Sequence, residues 1–391
     1  MFRTRRSLVA PLLAGLLLVS ACSSDDDAGS SASTTTESDG VSDDTTTTEA
    51  AVDALDTSAL GPYAVGRRTV TIADPDREGR TLTTDIWYPT DDDEGDPTTY
   101  SFAPGIEYDS DVAIDAPPVS GDGPFPLVVY SHGSGGLRYV ASYFTETLAS
   151  HGVVVVAPDH AGNTTLDRFV GTSDDPEVIS RNRPLDVSVV ISAMLDGSAD
   201  AEVTDGIDAE HIGVTGHSFG GYTSLAIGGG VSALDISADD RVDAVIAFAP
   251  AVGGLSDEDL AAVDVATMVM SGTLDEATPI DPNTERVATN VTGSPFYRVD
   301  LEGATHQSFT DVCDYTVLLR ELPDIGEDLI TFVDEFAENT CDPDVLDVEE
   351  AHRLIDQYAI AFLLAELTGS AEAQAVLDAD DVPDAVAFST R

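Results

Sequence analysis

The run Gly216-His217-Ser218-Phe219-Gly220 places a serine between two glycines. Residues 212–215 before it are a short apolar stretch that reads as a buried strand, and residues 222–227 after it can continue as a helix. A strand, a tight turn and a helix in that order lift a serine hydroxyl above a sheet edge, the arrangement called a nucleophile elbow. Glycine lacks a Cβ, so strand and helix can approach closely there. The helix N-terminus adds free N–H groups and the positive end of a dipole. G-x-S-x-G arises often by accident, and its bland reading is a Gly-rich turn with an ordinary serine. The context has to carry the chemistry.

An activated serine requires a base within hydrogen-bond reach and an acid to orient that base. After an elbow of this kind the acid precedes the histidine in the chain. Asp275 follows the apolar run 266–271 and stands just past a strand end, where an acid belongs; Glu276 and Asp281 are fallbacks. Only His306 and His352 follow Asp275. His306 comes directly after the apolar run 296–301 and is the base by position, whereas His352 reads as a surface residue in the first turns of a helix. The anion formed when a serine attacks a carbonyl needs two preorganised donors. The backbone N–H of Phe219 supplies one, and that of Ser134, in His132-Gly133-Ser134, fits the other. His132 itself reads as a structural hydrogen-bonding group rather than a second base.

These residues need a scaffold that brings strand ends together. Residues 68–72 and 81–88 alternate with period two, as hairpin strands do. The intervening Asp74, Asp76, Glu78 and Gly79, with Asp85, mimic part of a calcium loop, but Leu82 stands where a ligand is needed and no helices flank it, so a hairpin turn is expected. Residues 91–97 are a polar loop. Further strands are expected at 126–131, 153–157, 242–249, 266–271 and 296–301, and helices at 137–150, 185–195, 325–338 and 347–367, with a loop or short insertion at 163–183. Strands alternating with helices imply an α/β fold, a mostly parallel sheet covered on both faces, with a C-terminal helical extension. Sites in such sheets form at the carboxyl ends of strands, so the loops at His132, Ser218, Asp275 and Gly303 should meet. Connections near the site read as short, which predicts an open pocket; the region 311–347 is the one that could fold back as a lid.

The chain has 391 residues and a formal charge of −55. That surface repels nucleic acid and anionic head groups and favours solubility. Arg3, Arg5 and Arg6 precede an apolar run at 8–19, too short for a comfortable span, and Val19-Ser20-Ala21-Cys22 follows. This resembles the signal peptide and lipobox of bacterial lipoproteins, which implies lipid attachment at Cys22 and export to the outer face of the cell membrane. The expected layout is a leader over 1–21, a Ser/Thr/Asp-rich tether over 22–58 and one domain over 59–391, joined to the membrane only through the lipid. With Cys22 used, Cys313 and Cys341 are left, and an oxidising compartment favours their pairing. With no CxxC and no clustered histidine, no metal site is expected.

Several motifs occur together and in order: residues 129–133 (Val-Tyr-Ser-His-Gly), residues 150–160, the elbow, Asp275 in its loop and residues 306–309 (His-Gln-Ser-Phe). Between about Val70 and Phe309 they resemble the platelet-activating-factor acetylhydrolase and dienelactone-hydrolase-like branch of the α/β-hydrolases. The resemblance implies a cofactor-free hydrolase of carboxylic esters, or of a small ester or lipid substrate, with Ser218 as nucleophile, His306 as base and Asp275 as orienting acid. Dienelactone hydrolases proper use a cysteine where this chain has Ser218, so lactone cleavage is not implied. A cutinase-like or phospholipase activity, or a binding protein on a catalytically dead hydrolase fold, are the competing readings.

Overall fold

A computed structural model describes residues 55–391 except 78, 104–105 and 323–324. The leader, Cys22 and the tether to residue 54 lie outside the described residues. Thr57 is buried and donates to the Gln357 carbonyl at 2.7 Å, so the packed body takes in residues just before 59.

Strands β1 (Ala64–Ala73) and β2 (Thr81–Thr90) pair antiparallel, as their alternation predicts. Asp74 Oδ1 accepts from the Asp76 and Arg77 N–H groups and closes the turn between them. Asp85 is spent on ion pairs with Arg67 and Arg138. A second hairpin, β3 (Pro97–Ala103) and β4 (Ile106–Asp115), was not legible beforehand and adds to β1. Its buried face mixes Tyr100 and Tyr108 with Thr98 and Ser110, which blurs the period-two signal.

The chain then alternates. It runs through β5 (Phe125–Ser131), α1 (Ser142–Ser150), β6 (Val154–Pro158), α2 (Thr165–Val170), α3 (Pro176–Asp196), α4 (Ala201–Asp205), β7 (Ile207–His217) and α5 (Phe219–Gly229). It continues through β8 (Ala244–Phe248), α6 (Asp257–Ala261), β9 (Ala266–Gly272), α7 (Thr284–Asn290) and β10 (Phe296–Leu301). Helices α8 (Val312–Glu321), α9 (Glu327–Ala337), α10 (Val348–Thr368) and α11 (Ala371–Leu377) precede the edge strand β11 (Val386–Thr390). The strands form one sheet in the order β11-β10-β9-β8-β7-β5-β6-β2-β1-β4-β3. The stretch from β10 to β6 is parallel throughout. This is an α/β fold with a mostly parallel sheet, as expected. Strand β5 shows how the sheet divides the core: Val128 and Tyr130 pack with α1 and α10 on one face, Leu127 and Val129 with α3 and α5 on the other.

Two stretches differ from expectation. The segment 163–183 is not a loop: a Thr164–Asp167 capping box starts α2, and Pro176 in the first turn starts α3, which carries Arg183. Helix α1 begins at Ser142 rather than 137, because the Arg138 N–H is taken by the Asp159 carboxylate and Ser142 by Asp311. Among the described residues no helix is long and apolar enough to cross a membrane.

Candidate active site

Strand β7 ends at His217 and α5 begins at Phe219, so Ser218 alone makes the turn, with φ 57° and ψ −112°. A serine pays for such a backbone conformation, and the surroundings must hold it there. Its N–H donates to the Phe248 carbonyl at 2.8 Å, and its carbonyl accepts from Tyr222 and Ala251. A Cβ on Gly220 would overlap the Ser131 carbonyl, and one on Gly216 would do the same, so both positions require glycine.

The structure brings together three of the residues singled out above. Ser218 Oγ lies 2.9 Å from His306 Nε2, and His306 Nδ1 lies 2.8 Å from Asp275 Oδ2. Asp275 and His306 are buried while Ser218 is half-buried at a cleft. Burial opposes ionisation of Asp275, but hydrogen bonds from His306 and Thr278 outweigh it and hold the carboxyl below the usual carboxylate range. An ionised acid bonded to Nδ1 leaves Nε2 free to accept a proton from Ser218. Glu276 and Asp281 make no hydrogen bond to His306 among the described residues.

The cleft, about 170 Å³, is lined by Gly133, Ser134, Ser218, His306 and, from the far side, Arg168, Glu335, Phe336 and Glu338. Neither the Phe219 nor the Ser134 backbone N–H is engaged by a hydrogen bond among the described residues. The region 311–347 therefore does fold back: α9 contributes a wall of the cleft. The Cys313–Cys341 disulfide, with a Cα–Cα distance of 5.5 Å, ties the ends of this α8–α9 arm together. Phe336 also borders a nearly filled apolar recess with Leu137, Val140, Val312 and Tyr315. A larger groove between residues 73–77 and α3 contains none of these groups.

Outside the chain of Ser218, His132, His160 and His217 are buried and His352 is half-buried, and the contacts of all four are structural. His217 Nε2 donates to the His306 carbonyl at 2.9 Å; burial first, and the neighbouring His306 second, push its pKa down to about 3. His132 Nδ1 donates to the Gly133 carbonyl at 2.7 Å and its Nε2 accepts from the His160 N–H. His352 is half-buried rather than fully exposed. It stacks on Tyr143 at 3.5 Å and bonds the Thr310 carbonyl, and burial pushes its pKa down to about 4. The sequence pattern placed it in an exposed first turn; the packing of α10 on α1 turns it inward.

Sequence reasoning missed Arg183. It is 1% exposed and donates to Ser131 Oγ at 2.9 Å, to Asn163 Oδ1 at 2.8 Å and to the His132 carbonyl. Its place beneath the His132–Ser134 turn has no signature in a stretch that reads as a loop.

The parallel sheet, the strained serine turn and the acid and histidine at successive strand ends define the fold as that of the α/β-hydrolases. Comparison with known proteins narrows the likeness. Residues 107–188 match the family model described as platelet-activating factor acetylhydrolase, isoform II. The chain is 30% identical over 138 residues to platelet-activating factor acetylhydrolase of Canis lupus familiaris, covering 26% of this chain and 31% of that one. It is 31% identical over 185 residues to Cutinase est1 of Thermobifida alba, covering 46% and 53%. The matched stretches thus span about a third to a half of the relatives' length. The resemblance to the acetylhydrolase-like branch stands on them as well as on the motifs. The family-model match stops short of Ser218, so what singles out Ser218, His306 and Asp275 is the geometry above.

Proposed function

We propose that this protein is a serine esterase that cleaves carboxylic esters with short acyl groups. The observation that carries the reading is the hydrogen-bonded chain Ser218–His306–Asp275 at a strained elbow, opening on a small cleft. Ser218 Oγ attacks the ester carbonyl as His306 Nε2 takes its proton. Asp275 holds the imidazole in the required tautomer and stabilises its charged form. The N–H groups of Phe219 and Ser134 receive the developing oxyanion. His306 then returns the proton to the leaving alcohol, and water repeats the sequence on the acyl-enzyme. No organic cofactor is needed for this chemistry.

A cleft of about 170 Å³ lies below the usual size of ligand pockets, roughly 300–1,000 Å³, and Phe336 lines both it and the nearly filled apolar recess. Both favour acetyl to butyryl groups. The location belongs to the same proposal: export through the leader and attachment at the outer face of the membrane through lipidated Cys22. A p-nitrophenyl ester series from C2 to C12 tests the reading. Highest kcat/KM at C2–C4 supports it, and a steady rise to C12 overturns the short-acyl preference.

A second reading, an acetylhydrolase-like lipid hydrolase or a cutinase-like polyester hydrolase, is favoured by the names of the relatives. The exposed Leu166, Phe169 and Val170 on α2, beside Phe332 of α9, favour it too. Faster turnover of micellar or polymeric ester than of the soluble series would select it.

A further inference from the structure

Arg183 is a buried cation without an acid of its own. Among the described residues no carboxylate lies within ion-pair distance of its guanidinium, and its Nε has no hydrogen-bond partner. Asp186, one turn on, is taken by Arg77, Arg80 and His160. Burying an unpaired charge is costly, and an apolar side chain of similar volume would serve a core better. What Arg183 does touch is specific. Nη2 holds the His132 carbonyl and Ser131 Oγ; Nη1 holds Asn163 Oδ1 and lies 3.5 Å from the Gly133 carbonyl. Asn163 Nδ2 in turn donates to Ser134 Oγ at 3.1 Å.

Peptide planarity gives these contacts a consequence at the cleft. In a trans peptide the C=O of one residue and the N–H of the next point in opposite directions. The Gly133 carbonyl is drawn inward by His132 Nδ1, by the Gly136 N–H at 3.1 Å and by Arg183. The Ser134 N–H, on the other side of the same peptide, is thereby turned outward, away from these donors.

We propose that Arg183 is a positioning residue that fixes the Gly133–Ser134 peptide, directly and through Asn163, so that the Ser134 N–H serves the oxyanion of the reacting ester. Its positive charge also stands behind the donor, on the side where it favours an anion. The assignment rests on the serine-esterase reading and adds to it a residue that never touches substrate.

Steady-state hydrolysis of p-nitrophenyl acetate by Arg183→Met, Arg183→Lys and Asn163→Ala tests it, with thermal melting run beside each. The expected result for Arg183→Met is a fall in kcat of about a hundredfold with KM within about threefold, as for loss of one oxyanion donor. Arg183→Lys should recover part of it. Asn163→Ala should lose about tenfold in kcat. A folded Arg183→Met with kcat within threefold of wild type overturns the assignment, as does a loss confined to KM. Where Arg183→Met fails to fold, Asn163→Ala decides: unchanged kcat in that variant overturns the assignment, and a tenfold loss with unchanged KM supports it. An inactive wild type overturns the esterase reading and this assignment together. An active wild type with unaltered variants overturns this assignment alone.

Discussion

Among the described residues there are two hydrogen-bonded Ser–His–Asp chains. One is Ser218–His306–Asp275, with contacts of 2.9 and 2.8 Å. The other is Ser131–His160–Asp186, with contacts of 2.9 Å at both joints. Residue types and distances barely tell them apart. Three other features do. Ser218 sits at a positive φ and borders a cleft, whereas Ser131 ends a regular strand and is fully buried. Ser131 Oγ accepts from the Arg183 guanidinium, which occupies one of its two lone pairs and draws electron density from the oxygen. Burial, then the Arg183 charge, push the His160 pKa down to about 4, leaving it a poor proton acceptor. A hydroxyl, an imidazole and a carboxylate in line are thus not sufficient. Access, a strained backbone and a free oxygen suit the Ser218 set, and not the Ser131 set, to the proposed reaction.

Breaking each chain in turn should expose that difference. Ser218→Ala is expected to lower kcat by about 10⁴-fold or more, while Ser131→Ala costs less than about tenfold. A fluorophosphonate probe should label Ser218 and leave Ser131 untouched; labelling at Ser131 would erase the distinction. Removing the bases comes next. His306→Ala should cost on the order of 10³-fold in kcat, whereas His160→Gln should act mainly on thermal stability.

The buried chain should also betray itself through pH. Burial first, and the Arg183 charge second, push the His160 pKa down to about 4 in the folded protein, below the ordinary imidazole value of about 6.5. The unfolded chain therefore binds a proton first as pH falls. The stability owed to neutral His160 is fully present above 6.5 and is lost as pH falls towards 4, by on the order of 3 kcal/mol. His160→Gln should flatten that part of the stability profile measured by chemical denaturation between pH 7 and 4; an unchanged slope would mean that His160 is not held neutral. At the open site, Phe336→Ala should join the cleft to the apolar recess and raise the C8-to-C4 ratio of kcat/KM by about tenfold. The smallest effect is expected for His352→Ala: a loss of about 1–2 kcal/mol in stability from the broken stack and hydrogen bond, with kcat within about threefold.

The residues of the proposed site were legible because each follows an apolar strand and the chain order is restrictive. Gly216, Gly220, Asp275 and His306 sit where local sequence speaks for itself. The buried network was not legible. Arg183, Asn163 and Asp186 are polar residues in or near a stretch with little apolar periodicity, and their hydrogen-bond partners lie 20 to 106 residues away. His352 shows the same limit, since its burial depends on Tyr143 and Thr310 from distant elements. Edge strands β3 and β4 escaped because a face built from Tyr, Thr and Ser carries little hydropathy contrast.

The Cys313–Cys341 link has a consequence for how this scaffold can change. It brings the start of α8 and the chain just beyond α9 to within 5.5 Å, Cα to Cα. The arm that walls the cleft therefore leaves and rejoins the body at almost one point. The segment 313–341 is thus closed on itself at its base while Tyr315 on its inner face packs against Phe102 and Tyr108 of the β3–β4 hairpin. A change within it reaches in two directions, outward to the cleft at Ser218 and inward to the edge of the sheet.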